Sequence, residues 1–170
     1  FWVQVLIPVF TMEKILSIII PVYNTEEYLP RCLNSCLEQD LPANEYEIIA
    51  INDGSSDNSL QILNAYALKY PNIRVINQEN RGLGATRNRG LNLAIGEYIW
   101  FVDSDDWVDK HFVEEMYRGI KAENADIAEC DFYRVAVDSG LKTITHVNEV
   151  MKKPFSKEER FLLGSVIQWK

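Results

Sequence analysis

The sequence predicts an α/β fold built on a mostly parallel sheet, and three observations carry that prediction. From residue 15 onward, short β-branched runs alternate with longer segments at helical spacing, the pattern of successive βαβ units. The run Ile15-Leu16-Ser17-Ile18-Ile19-Ile20 is almost continuously apolar, as in a strand buried on both faces. At 170 residues, with 47% hydrophobic and 25% charged side chains, the chain is long enough to bury a core, and its composition is that of a folded domain rather than a disordered or low-complexity segment.

The first strand, stopped by Pro21, belongs at the centre of the sheet. Asn24 is expected to cap the next helix with Glu27 three residues on, and Leu29, Cys32, Leu33, Cys36 and Leu37 recur on its apolar face. That spacing makes Cys32 and Cys36 core residues. With Cys130 they are three, an odd number without a zinc-type pair, so neither a disulfide framework nor a structural metal site is indicated and a reducing compartment is the simplest setting. Residues 47–51 form the second strand, and a helix over 59–69 is ended by Pro71. Residues 73–76 form the third strand, followed by a helix ending near Gly96, and residues 98–102 form the fourth. Phe112, Val113, Met116 and Ile120 mark a further amphipathic helix. Weak alternation over 126–136, the turn Asp138-Ser139-Gly140 and the run 141–147 predict a hairpin at a sheet edge, and 156–167 reads as a last helix starting at Ser156 with Glu159 completing a capping box.

Acidic side chains outnumber basic ones by 25 to 17, a net charge of −8, and no stripe of Lys or Arg is present to neutralise a phosphate backbone, so nucleic acid is not an expected partner. The apolar opening residues 1–10 lack a basic region ahead of them and are too few to span a bilayer. Met12-Glu13-Lys14 looks like a natural start, so residues 1–11 read as an added or upstream extension ahead of a single domain over 12–170.

In open α/β sheets, ligands bind beyond the carboxyl ends of the strands. Four polar loops meet that description: Pro21-Val22-Tyr23-Asn24, Asn52-Asp53-Gly54-Ser55-Ser56-Asp57, Asn77-Gln78-Glu79-Asn80-Arg81-Gly82 and Asp103-Ser104-Asp105-Asp106. Three carboxylates in the last loop repel one another, by roughly 4 kcal/mol for unit charges about 4 Å apart at an effective dielectric of about 20, and so ask for a counter-charge. A divalent cation bridging to a diphosphate supplies one; a solvated helix cap is the other reading of these four residues. Asp57 is expected to cap the following helix, while Asp53, at the strand end itself, can accept from a ribose hydroxyl or base edge. Tyr23 offers a ring for a nucleobase to stack on, plain packing being the other reading, and Arg81 a cation for a phosphate or base oxygen, a surface salt bridge being the other. Within the third helix, one face of Arg87-Asn88-Arg89-Gly90 looks back to the rim in a supporting role. His111 and His146 lack ligand spacing. No Gly-x-Ser-x-Gly elbow, Walker loop or Gly-x-Gly-x-x-Gly opens a helix, which removes acyl-transfer hydrolases, P-loop nucleotide hydrolases and nicotinamide dehydrogenases from consideration.

Read as a set, Ile18-Ile19-Ile20-Pro21-Val22-Tyr23-Asn24, Asn52-Asp53-Gly54-Ser55-Ser56-Asp57, Asn80-Arg81-Gly82 with Ala85, Arg87 and Asn88, and Asp103-Ser104-Asp105-Asp106 resemble the family 2 glycosyltransferases over roughly residues 14–120. The resemblance implies a GT-A fold, a Rossmann-like sheet that binds a nucleotide-diphospho-sugar, with UDP the commonest nucleotide, and Mn²⁺ or Mg²⁺ held by a D-x-D motif. Carried over residue by residue, Asp53 is the nucleoside contact, Tyr23 the ring near the base, with Pro21 and Val22 beside it, and Arg81 the basic group of the third loop. Asp103, with Ser104, lies near ribose or sugar, and Asp105 binds the metal. Similar enzymes invert the anomeric centre by direct displacement onto a saccharide or lipid-linked acceptor hydroxyl. They act in the cytoplasm, some in peripheral association with the cytoplasmic face of a membrane. Their general base lies well downstream of D-x-D, so it is expected beyond this chain, and none of Asp126, Glu129 and Asp131 is assigned. The chain then reads as a donor half with the start of an acceptor half. A non-catalytic sugar-nucleotide-binding or scaffold module is the alternative. Pyrophosphorylases require a Gly-rich loop where Pro21-Val22-Tyr23-Asn24 stands, and phosphatases place their acidic pair after the first strand rather than the fourth.

Overall fold

Strands and helices alternate as the spacing predicts. The computed structural model describes residues 14–125, 128, 132–135 and 140–145. The chain divides into two compact units, Phe1–Lys110 and His111–Lys170.

The first unit runs β1 (Lys14–Val22), α1 (Leu29–Leu37), β2 (Tyr46–Asp53), α2 (Ser59–Lys69), β3 (Ile73–Gln78), α3 (Leu83–Leu93) and β4 (Gly96–Phe101). All four strands are parallel, in the order β3-β2-β1-β4. Two crossovers therefore step one way from β1 and the third steps back across it. Right-handed connections then put α1 and α2 on one face and α3 on the other. The reversal between β1 and β4 opens the crevice in which such sheets take ligands.

Strand β1 is buried from Leu16 to Val22 and β2 over its whole length, which explains their lack of apolar alternation. On one face Ile19, Ile49 and Ile51 form a core capped by Ile76, Leu93, Ala94 and Phe101. Opposite, α1 buries Leu29, Cys32, Leu33 and Cys36, confirming the two cysteines as core residues, and α2 buries Leu63. Helix α3 approaches β1 through Gly90: a Cβ there sits 2.3 Å from Ile19 Cγ2. At the amino end of the sheet, Glu47 accepts from Ser17 Oγ (2.6 Å) and from the backbone N–H of Ile95 (2.9 Å), tying the turn between α3 and β4 to the two central strands.

Two local expectations fail for physical reasons. Pro21 does not stop β1, which continues to Val22 with Pro21 in register opposite Ile51. The carbonyl of Ile19 faces β4, accepting from Val102 N–H, so by strand alternation the nitrogen of Pro21 faces the same side, past the last β4 pairing at Ile19 and Phe101, where its missing N–H costs no ladder bond. Asn24 does not cap α1: the cap position is Tyr28, Pro30 sits in the first turn, and the Asn24 amide is used elsewhere.

In the second unit α4 (Phe112–Glu123) starts after His111, carries Glu114 and Glu115 in its first turn and Lys121 in its last, matching the helix dipole, and ends at Asn124 in the left-handed region (φ 49°). Strands β5 (Phe132–Val135) and β6 (Lys142–Thr145) pair antiparallel as the expected hairpin. They form a two-stranded sheet of their own rather than an edge of the four-stranded one. The extension 1–11, the last helix, Cys130, His146, Asp126, Glu129 and Asp131 lie outside the described residues.

Replacing Gly90 by Ala forces a methyl into Ile19. The expected outcome is a loss of about 1–3 kcal/mol in urea unfolding, the usual cost of overpacking, against the gain that Gly→Ala brings in an open helix.

Candidate functional site

The carboxyl ends of β1 and β2 are stitched together by side chains. Asn24, at φ 52°, accepts through Oδ1 from Ser56 N–H (2.8 Å), and its own N–H donates to Ser55 Oγ (3.1 Å). Glu26 Oε2 accepts from Asn58 N–H (2.8 Å) and Nδ2 (2.6 Å). Asp57 accepts from Glu26 N–H (3.0 Å) and Ser59 N–H (2.9 Å). The cap position of α2 is Asn58, so Asp57 works one residue ahead of it, holding both the first turn of the helix and the β1 loop. Burial raises the Asp57 carboxyl, and its hydrogen bonds, led by that from Ser59, more than reverse this, leaving its pKa below the usual range. Beyond this weave Tyr23 stands 53% exposed, whereas the Pro21 and Val22 side chains are buried.

Asp53, the last residue of β2, is 3% exposed and shapes the loop after β3. Oδ1 accepts from Gln78 Nε2 (2.6 Å) and Arg81 N–H (2.8 Å), and Oδ2 from Gly82 N–H (2.9 Å). Gln78 also donates to Thr86 Oγ1 and accepts from Arg89 Nη1, so β2, β3 and α3 share one network. Burial pushes the Asp53 carboxyl up, but the bonds from Gln78, Arg81, Thr86 and Gly82 outweigh it and hold its pKa below the usual carboxylate range. Gly54 completes the junction: at φ 73° a Cβ lies 2.7 Å from Asn80 N, so only glycine lets the two loops touch. The Arg81 side chain is exposed above this loop.

Past β4, Asp103 and Asp106 close a tight turn through Asp106 N–H and Asp103 O (3.0 Å). Ser104 turns inward, buried, with its Oγ accepting from Thr25 Oγ1 (3.0 Å), while Asp105 and Asp106 are exposed. Arg87 of α3 pairs with Asp103 Oδ1 at 2.6 Å. Part of the counter-charge that the acidic loop asks for thus comes from the chain itself, which leaves Asp105 and Asp106 as the exposed carboxylates of the turn. Burial, then the charges of Asp105 and Asp103, push the Asp106 carboxyl up. Two adjacent, solvent-facing carboxylates under like-charge strain fit a hard divalent cation, which takes one or two carboxylates and fills its other positions with water or phosphate oxygens. Beneath the turn, the Cys32 thiol lies 3.6 Å from Asp103 O; its hydrogen bond with Cys36 and burial push its pKa up, which suits an inert core residue.

Arg87 and Gln78 are placed near the rim by sequence position, but nothing local in the sequence gives either a direct part in holding the acidic residues. Helical spacing put Arg87 on the right helix, but its pairing with Asp103 arises only when β4 returns beside β1.

Because the Asp53 pKa is depressed, its contribution to stability is full above the ordinary carboxylate pKa of about 3.9 and is lost as pH falls through the lower folded value. Asp53→Asn is expected to cost about 1–3 kcal/mol in urea titration near neutral pH and to flatten the acid limb of the stability curve below about pH 4. Asp106 has the opposite sign: its stability contribution is present below the ordinary carboxylate pKa and is lost as pH rises through the raised folded value. Asp106→Asn is therefore expected to raise the melting temperature at pH 7 in the absence of divalent ions, as read by calorimetry.

The model of the family described as "Glycosyl transferase family 2" matches residues 17–167. A poly(ribitol-phosphate) beta-glucosyltransferase of Bacillus spizizenii is 45% identical over 114 residues, covering 66% of this chain and 18% of that protein. Residues 1–349 of TarS from S. aureus, solved in complex with UDP-GlcNAc, superpose with a TM-score of 0.67 at 34% identity over 74% of this chain and 36% of that one. A mannosyltransferase of Pyrobaculum calidifontis, solved with GDP-Man and Mn²⁺, gives a TM-score of 0.53 at 25% identity over 57% of this chain and 29% of that one. The chain spans between 18% and 43% of the length of the curated relatives it matches. The parallel sheet with its helices is the GT-A architecture, and the chain belongs to glycosyl transferase family 2.

Proposed function

We propose that this chain carries the donor half, and the start of the acceptor half, of an inverting glycosyltransferase that moves a sugar from a UDP-sugar to a saccharide or lipid-linked hydroxyl. The observation that carries the reading is the acidic turn at residues 103–106, which follows β4 at the switch point beside β1, with Tyr23 at the end of the neighbouring strand. In this reading Tyr23 stacks on the base, with main-chain groups of Pro21 and Val22 beside it. Asp53 reaches the nucleoside and also holds the loop from which Arg81 reaches a phosphate. Asp103 and the Ser104 backbone meet ribose or sugar hydroxyls. Asp105 holds Mn²⁺ or Mg²⁺, which when bound offsets the charge of the departing diphosphate. The neighbour solved with UDP-GlcNAc supports the nucleotide and the one solved with Mn²⁺ supports the metal. The general base belongs to the acceptor side and is assigned to no residue here. The reading places the enzyme in the cytoplasm, with peripheral attachment where the acceptor is lipid-linked; no helix among the described residues is long and apolar enough to cross a membrane.

A thermal-shift panel of UDP, GDP, CDP and dTDP, each with and without Mn²⁺, tests the donor site. UDP with Mn²⁺ at about 100 times its dissociation constant is expected to stabilise by about 2.7 kcal/mol. The shift disappears in Asp105→Ala and weakens by about 1–3 kcal/mol of binding in Tyr23→Ala. No shift with any nucleotide overturns the reading.

A further inference from the structure

We propose that Arg87 is the positioning residue of the acidic turn: it holds one oxygen of Asp103 so that this carboxylate is committed to donor hydroxyls and kept out of the cation site. The inference rests on the donor-site reading above and adds to it the residue that holds Asp103 in its part.

The geometry is one-sided. The Arg87 side chain is 14% exposed and that of Asp103 46%, so the guanidinium approaches from within and the carboxylate stands toward solvent. Arg87 Nη2 takes Asp103 Oδ1, and Oδ2 has no hydrogen-bond partner among the described residues. The same guanidinium lies 5.8 Å over the ring of Phe101, two residues before Asp103, so it grips both the end of β4 and the turn that leaves it. Its Nε is buried without a hydrogen-bond partner among the described residues. The helix beneath packs closely on β1 at Gly90, one turn on, where a Cβ would lie 2.3 Å from Ile19 Cγ2. A planar, permanently charged head group held in this way orients a carboxylate in a manner lysine cannot reproduce.

The test measures two ligands on the intact chain: UDP with Mn²⁺ by calorimetry, and Mn²⁺ alone by loss of the free-ion EPR signal. Arg87→Met is expected to weaken UDP binding about tenfold, Arg87→Lys less, and Asp103→Asn by a similar factor, while Arg87→Met in the Asp103→Asn background adds nothing further. Mn²⁺ alone is expected to bind Arg87→Met at least as tightly as the parent, because the freed carboxylate becomes an additional donor. A merely structural Arg87 would instead lower both affinities together with the melting temperature, and that result overturns the proposal. Additive losses in the double variant overturn it by showing that Arg87 acts on the donor directly, and unchanged UDP binding in Arg87→Met overturns it outright. A parent chain that binds no nucleotide brings down the donor-site reading itself and this inference with it, a result distinct from failure in the variants alone.

Discussion

The burial of β1 between β2 and β4 is the constraint from which the rest of the structure follows. A strand paired on both edges and covered on both faces must be apolar or have its polar groups bonded, and Leu16 to Val22 meets that demand, its one polar side chain, Ser17, donating to Glu47. Its two neighbours come from opposite ends of the connectivity, β2 directly after it and β4 after two further crossovers. The strand that best fills the core therefore also defines the place where the sheet changes direction, and the polar loops are delivered to that place by strands too well packed to move.

The rim polar residues divide by what they already hold. Asn24, Glu26, Asp57, Asp53 and Ser104 spend hydrogen-bonding capacity on other loops, so the rim is pre-built before any ligand arrives. Preorganisation of this kind lowers the ordering cost of binding. Tyr23, Arg81, Asp105 and Asp106 remain exposed at the rim. Asp53 is buried: its charge is stabilised by the loop it folds, and that loop carries the exposed Arg81.

Charge balance links rim and core. An acidic turn of three carboxylates would by itself strain the end of β4, and Arg87 relieves part of that strain from inside. Asp106 carries part of what remains: burial first, and then the charges of Asp105 and Asp103, push its carboxyl up.

The sequence by itself determined the order of elements in the first unit, the central placement of β1, the core role of Cys32 and Cys36, and the four loops that form the rim. These are written in periodicity and in turn chemistry, both properties of short stretches of chain. Helix α2 was legible to the residue because Pro71 lies just beyond its end. Tertiary structure decided the rest. Pro21 stays within β1 because β4 ends before reaching it, and no local signal carries the length of a neighbour. Asn24 leaves its helix because Ser56, far along the chain, offers a better donor. The pairs Asp53 with Gln78 and Arg87 with Asp103 exist only once parallel strands have set their register, and register is a property of two strands that neither sequence segment holds alone.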